Sequence, residues 1–259
     1  MLKKKIALLV TSFDGFNDLW SPLDKNYGIY VDKNIDCYLM TNFLKPDLKI
    51  LKYLAVGKDL DWSQNLKNAL NHLGDYEFIF LTLDDVFFES ELSYKEIENY
   101  CDLLIKSEAN YLSLLDRPSS KFMKKNKDFA YISKDSLYPV SAGLCIWRTN
   151  QLTKFLNEKQ NAWQYERNFK IDDERKYISL TKDFKKLIHA VVKGKFYPSA
   201  LKKLSKQGID LNSDRQTYSW IVEKAYNLRD YLRSSIIGVF AKLNLLFLIK
   251  LARKYINKT

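Results

Sequence analysis

The chain has 259 residues, 46% of them apolar, which excludes a disordered protein and leaves room for one large α/β domain or one domain plus a small appendage. Lys and Arg exceed Asp and Glu by 42 to 31, a formal charge of +11. Such a field favours anionic partners, a nucleotide diphosphate, acidic phospholipid or nucleic acid, unless the lysines only cover solvated faces.

Residues 5–11, Lys-Ile-Ala-Leu-Leu-Val-Thr, have the length and apolar character of a buried first strand. The apolar part, Ile6 to Val10, is too brief for a signal-peptide core and has no small-residue cleavage site, so the protein is expected to be cytoplasmic. The following Ser12-Phe13-Asp14-Gly15-Phe16 has turn chemistry. Ser12 and Asp14 there either contact a nucleotide or merely cap a short helix. Residues 35–41 and 50–56 read as two more strands. Trp62, Leu66, Ala69, Leu70 and Leu73 then recur at helical spacing, with Gly74 where a helix stops.

The central feature is the run 77–88, an apolar stretch interrupted by Asp84 and Asp85. It reads as a buried strand delivering two carboxylates to its carboxyl end, where open α/β sheets bind their ligands. A carboxylate pair at that place requires a divalent cation, a nearby Arg or Lys, or solvent.

Beyond it the pattern predicts a helix over 92–106 capped by Ser93 and a strand over 111–116. A lysine-rich connection up to Lys127 is either a loop over the site or a solvated link. Order returns over 136–148, where Gly143 inside a strand pattern implies close approach of a backbone or ligand, and a short helix starts at Asn150. On a helix over 162–168, Trp163 and Glu166 lie three apart and share a face. The indole would then raise the carboxylate's basicity by partial desolvation; the alternative is a surface Glu paired with Arg167 or Lys170. Residues 188–198 read as a last strand and turn, whose His189 either completes a metal site or is a buried, hydrogen-bonded histidine. Cys37, Cys101 and Cys145 sit far apart in apolar runs without zinc-type spacing, as buried thiols of a reducing compartment do.

The carboxyl-terminal stretch 230–259 is apolar but too short and too interrupted to span a membrane. Arg229, Arg233, Lys242, Lys250, Arg253, Lys254 and Lys258 fall within about one half of a helix. That pattern fits an interfacial helix on an anionic membrane, or one docked on the body of the protein or on a second subunit.

In order, Val10-Thr11-Ser12-Phe13-Asp14, Asp61-Trp62-Ser63 ahead of a helix, the run ending Leu83-Asp84-Asp85-Val86-Phe87-Phe88, the segment from Tyr138 to Arg148, and Trp163-Gln164-Tyr165-Glu166 resemble bacterial surface-polysaccharide (capsule, O-antigen, lipooligosaccharide) glycosyltransferases of the GT-A fold, over roughly residues 5–198. The resemblance implies an α/β, Rossmann-like fold with a mixed, mainly parallel sheet flanked by helices. A catalytic domain over 1–199 would be followed by a basic helical region over 200–259. A nucleotide-sugar donor would lie near Thr11, Ser12, Asp14, Trp62, Ser63 and Asp84. Mn²⁺ or Mg²⁺ on its diphosphate would be held by Asp85, with His189 as a further ligand; Leu-Asp-Asp stands where the family has Asp-x-Asp. A growing, lipid-linked glycan acceptor would meet Gly143, Trp147, Arg148 and Trp163, with Glu166 as catalytic base, at the inner face of the cytoplasmic membrane, and no nucleic acid is expected as a partner. Rival readings are a metal-dependent nucleotidyltransferase, which would ordinarily carry a glycine-rich phosphate loop absent here, and a catalytically silent basic protein that binds carbohydrate or nucleic acid.

Overall fold

The computed structural model describes residues 5–115, 128–156, 159–182, 184–185, 187–211, 213–243, 245 and 248–249. The lysine-rich connection up to Lys127 and the basic residues Lys250, Arg253, Lys254 and Lys258 lie outside them. Six consecutive buried residues form β1 (Ile6–Thr11). A run this apolar must be covered on both faces, which is the situation of a central strand in a helix-flanked sheet. A 3-10 turn (Asp14–Leu19) leads into α1 (Trp20–Tyr30), followed by β2 (Asp36–Thr41) and β3 (Lys52–Ala55). α2 (Trp62–Asn71) begins at Asp61, whose carboxylate accepts the Gln64 N–H as an N-cap.

The apolar run 77–88 is two strands, β4 (Phe78–Leu83) and β5 (Val86–Phe88), with Asp84 and Asp85 forming the turn between them. α3 (Tyr94–Lys106) is capped by Ser93 as the sequence suggests, and β6 (Tyr111–Ser113) follows. β7 (Phe129–Tyr131) precedes a long loop, so that only the end of the stretch 136–148 is extended, as β8 (Cys145–Arg148). The remaining elements are α4 (Thr149–Lys154), α5 (Ala162–Asn168), β9 (Tyr177–Leu180), β10 (Leu187–His189), the hairpin of β11 (Val191–Val192) and β12 (Lys195–Phe196), α6 (Pro198–Lys206) and α7 (Trp220–Lys242).

Eight strands make one sheet in the order β3-β2-β1-β4-β8-β6-β9-β7. β8 runs against β4 and β6, β7 runs against β9, and the other pairings are parallel. The fold is thus the expected α/β one of Rossmann-like type, a mixed, mainly parallel sheet flanked by helices. Alternate residues of β1 serve two cores: Leu8 and Val10 pack with Leu23 and Tyr27 of α1, Cys101 of α3 and Leu204 of α6, whereas Ala7 and Leu9 pack with Leu66 and Leu70 of α2 and Tyr165 of α5. The first core continues through Ile209. All three cysteines are free and buried, and burial pushes the Cys37 thiol up to about 12. From β1 the chain builds outward through β2 and β3, then returns to the other side of β1 with β4. Strand order therefore reverses between β1 and β4, and a crevice opens beyond their carboxyl ends.

Candidate active site

A cleft of about 1290 Å³ lies at that reversal. Thr11 and Ser12 from the end of β1 and Asp84 and Asp85 from the turn after β4 line it, with His189 of β10 beside them. Ser12 Oγ donates to Asp84 Oδ2 at 2.5 Å and accepts from Trp20 Nε1 at 2.8 Å, which fixes the Asp84 side chain at the cleft floor. Asp84 is 8% exposed. Burial, then the charge of Asp85, raise its carboxyl to about 8 against the opposing hydrogen bond from Ser12. Burial also raises Asp85, partly offset by His189. His189 is brought there because β10 pairs antiparallel with β5, His189 opposite Val86, while Ala190 N–H donates to the Asp85 carbonyl at 2.8 Å.

Arg215, far away in sequence and without any local motif, is held beside the acids. Its guanidinium is bidentate to Asp18, Nε to Oδ2 at 2.6 Å and Nη2 to Oδ1 at 2.7 Å, and lies 4.1 Å from the Phe16 ring centre. It exerts a lowering field on Asp84 and Asp85, although its donors are turned to Asp18 and Gly15. The two acids thus stand at the cleft floor within the field of Arg215 and His189 but, among the described residues, without a direct ion pair.

Among the described residues no three His, Cys, Asp or Glu side chains gather as a self-sufficient metal cage. The donor set does fit Mn²⁺ or Mg²⁺ shared with a substrate phosphate, because Mg²⁺ is ordinarily held by one or two carboxylates, phosphate oxygens and water. Asp85, partly exposed, is the residue that would hold it, with Asp84 behind it and His189 lining the cleft nearby.

The raised Asp84 pKa has a testable consequence for stability. The folded protein holds a proton that the unfolded chain releases near the ordinary 3.8. The carboxyl is thus without cost below that value, and its cost grows as pH rises until it is complete above about 8. Asp84→Asn, whose amide oxygen still accepts from Ser12, should raise Tm by a margin that widens from pH 5 to pH 8; thermal unfolding in chelator would show it, and a margin flat in pH would contradict the buried-acid account.

On the α2 side, Asp61 and Trp62 line the cleft, and Asp61 Oδ2 and Trp62 Nε1 are both buried without a hydrogen-bond partner among the described residues. Burial pushes the Asp61 carboxyl up, but hydrogen bonds from the Gln64 N–H, Ser63 and the Gln160 N–H outweigh it and hold it low. Asp59 joins the lining, its Oδ1 accepting from Asn65 at 2.6 Å. Across the cleft α5 begins with a capping box between Asn161 and Gln164 and presents Trp163, 72% exposed, and Glu166. Glu166 Oε1 accepts from Ala142 N–H at 2.8 Å and Ser141 Oγ at 3.1 Å, leaving Oε2 without a partner among the described residues. What orients Glu166 is thus the loop before β8, while the neighbouring indole lies open to solvent.

Five of the sequence-selected residues stand elsewhere. Trp147 is fully buried among Tyr111, Phe155, Phe169 and Tyr177, on the inward face of β8, and cannot meet an acceptor. Trp147→Ala should cost about 3–5 kcal/mol in chemical denaturation; a folded variant that loses only acceptor affinity would restore the cleft role. Arg148 pairs with Phe78 at the amino end of β4, at the end of the strands away from the cleft, and donates to the carbonyls of Ala109 and Leu104. Gly143 makes room for the Leu83 side chain rather than a ligand, since a Cβ there would sit 2.7 Å from Leu83 Cγ. Ser63 is buried, bonding Asp61 through its hydroxyl. Asp14 uses both oxygens to bind the N–H groups of Asn42, Phe43 and Leu44 and so braces the loop after β2. Residues that local patterns did not single out also line the cleft: Lys193 and Gly194, both at positive φ in the β11–β12 hairpin turn, and Asn227 and Asp230 of α7, beside Arg233, which the sequence marked only as part of a basic helix face.

No family model matches the chain, and no curated protein matches it. Among solved structures, S. aureus TarS aligns with it at 13% identity and a TM-score of 0.45, over 82% of this chain. The chain spans 40% of the length of TarS. No helix among the described residues is long and apolar enough to cross a membrane.

Proposed function

We propose that the protein is a glycosyltransferase that moves a sugar from a nucleotide-sugar donor to a hydroxyl of a growing, lipid-linked surface glycan. The observation that carries this reading is that one cleft holds a carboxylate pair at the β1/β4 reversal and, across from it, a glutamate with one oxygen unpaired among the described residues. The donor's nucleoside lies along Thr11, Ser12 and the α2 edge, where Asp61 Oδ2 accepts from a donor N–H or O–H and Trp62 Nε1 donates to an oxygen. Its diphosphate extends to Asp85, which would hold Mn²⁺ or Mg²⁺; when bound, the ion would supply positive charge against the departing diphosphate. Trp163 offers an exposed ring face for the acceptor sugar. Glu166 takes the proton from the acceptor hydroxyl; the oxygen's electron pair forms the new bond to the anomeric carbon, and the bond to the nucleoside diphosphate breaks with its electron pair leaving on phosphate oxygen.

Titration of the full chain against a panel of nucleotide sugars, with Mn²⁺ and with chelator, tests the assignment. Binding of one of them, dependent on the ion and followed by slow release of nucleoside diphosphate, is the expected result. Binding of nucleoside triphosphates with pyrophosphate release would instead support nucleotidyl transfer and sink the proposal.

A further inference from the structure

α7 is a 23-residue helix that, among the described residues, packs on the body of the protein along one side. Glu223 is buried against Ser199, Arg233 donates to Tyr138 Oη at 2.6 Å, and Ile237 and Phe240 pack on Leu137 and Tyr138. Asn227, Asp230 and Arg233 border the cleft. On the other side Ile221, Leu228, Leu232, Ile236, Val239 and Leu243 are each more than half exposed. At 100° per residue they fall within an arc of about 80°, a continuous apolar seam running the length of the helix. Trp220 and Tyr231, both half or more exposed, rim one edge of it together with Lys224 and Lys242. Neither lysine forms an ion pair among the described residues.

The sign of the charge selects what covers this face. Both acids of the helix, Glu223 and Asp230, stand on the side of the body or the cleft, the second paired with Arg229 at 2.8 Å. The exposed face carries cations and no anion. A second copy brought against it would set lysines near lysines with no carboxylate to answer them, whereas lipid phosphates answer them directly. Indole and phenol rings at the border of an apolar stripe also suit the level of lipid headgroups.

We infer that α7 lies flat on an anionic bilayer, its apolar seam inserted at the headgroup boundary and Lys224 and Lys242 on lipid phosphates. This goes beyond glycosyl transfer and is read without any turnover. One consequence is that the opposite side of the same helix holds the cleft rim close to the membrane surface. Of the basic residues selected from sequence, Arg233 and Arg229 are engaged with Tyr138 and Asp230, so the contact passes to Lys224 and Lys242.

The experiment is flotation of the full chain with vesicles of equal parts phosphatidylethanolamine and phosphatidylglycerol, beside vesicles of phosphatidylcholine alone. Flotation with the anionic vesicles only, weakened by added salt, is expected. The variant Ile221→Ser/Leu232→Ser/Val239→Ser should abolish it, and Lys224→Ala/Lys242→Ala should weaken it about 25-fold, roughly five-fold for each cation. All five positions are exposed, and unchanged Tm and donor binding in solution would show that the fold and the cleft are intact, so a failure here is separable from a failure of the enzymatic reading. The inference is overturned if the protein does not float with anionic vesicles, if the serine variant floats as well as the parent, or if the parent sediments as a dimer that the serine variant disperses and neither form floats.

Discussion

Glu166→Gln should lower kcat for glycosyl transfer by about 10²–10⁴-fold, the usual contribution of a positioned general base, while the donor dissociation constant stays where it was. The amide keeps the side chain's shape, and its oxygen can still accept from Ala142 N–H and Ser141 Oγ, so the loop before β8 retains its anchor. What is lost is the capacity of Oε2 to receive a proton. Single-turnover transfer measured beside equilibrium donor binding separates the two effects. A parallel fall in both would mean that Glu166 holds the loop and takes no part in proton transfer.

Asp85→Ala should remove the ion dependence of donor binding. Loss of even an outer-shell partner commonly weakens metal affinity 10–100-fold, so loss of a ligand should cost about 100-fold or more. The measurement is donor affinity as a function of Mn²⁺ for parent and variant. An Mn²⁺ response that survives the substitution would detach the ion from this turn. The neighbouring acid adds a dependence on pH: Asp84 must release its proton to contribute charge, so Mn²⁺ affinity in the parent should climb as pH approaches about 8 and then level off. Asp84→Asn should flatten that climb.

Asp84 and Asp85 were legible in the sequence because an apolar run that terminates in charge marks, in a sheet protein, the place where a buried strand reaches the surface. The helix carrying Trp163 and Glu166 was legible from their three-residue spacing: α5 spans 162–168, with Asn161 capping its start. Direction was not legible. β8 looks in sequence like any other apolar strand, yet it runs against β4, which sends Arg148 to the end of the strands away from the cleft. Only strand pairing decides this, because hydrophobic alternation is the same read in either direction. Nor could spacing reveal Arg215, whose place beside the acids depends on a chain segment returning across the sheet to grip Asp18.

From its residue pattern alone, then, the chain declared an α/β sheet, a charged turn after a buried strand, and a carboxylate on a short helix, since these follow from local periodicity and from the cost of burying charge. Tertiary structure alone decided which of the marked residues share a cleft, that Trp147 belongs to the core, and which side of α7 stays uncovered. Those outcomes depend on contacts between segments distant in sequence, whose energies leave no trace in any short window of residues.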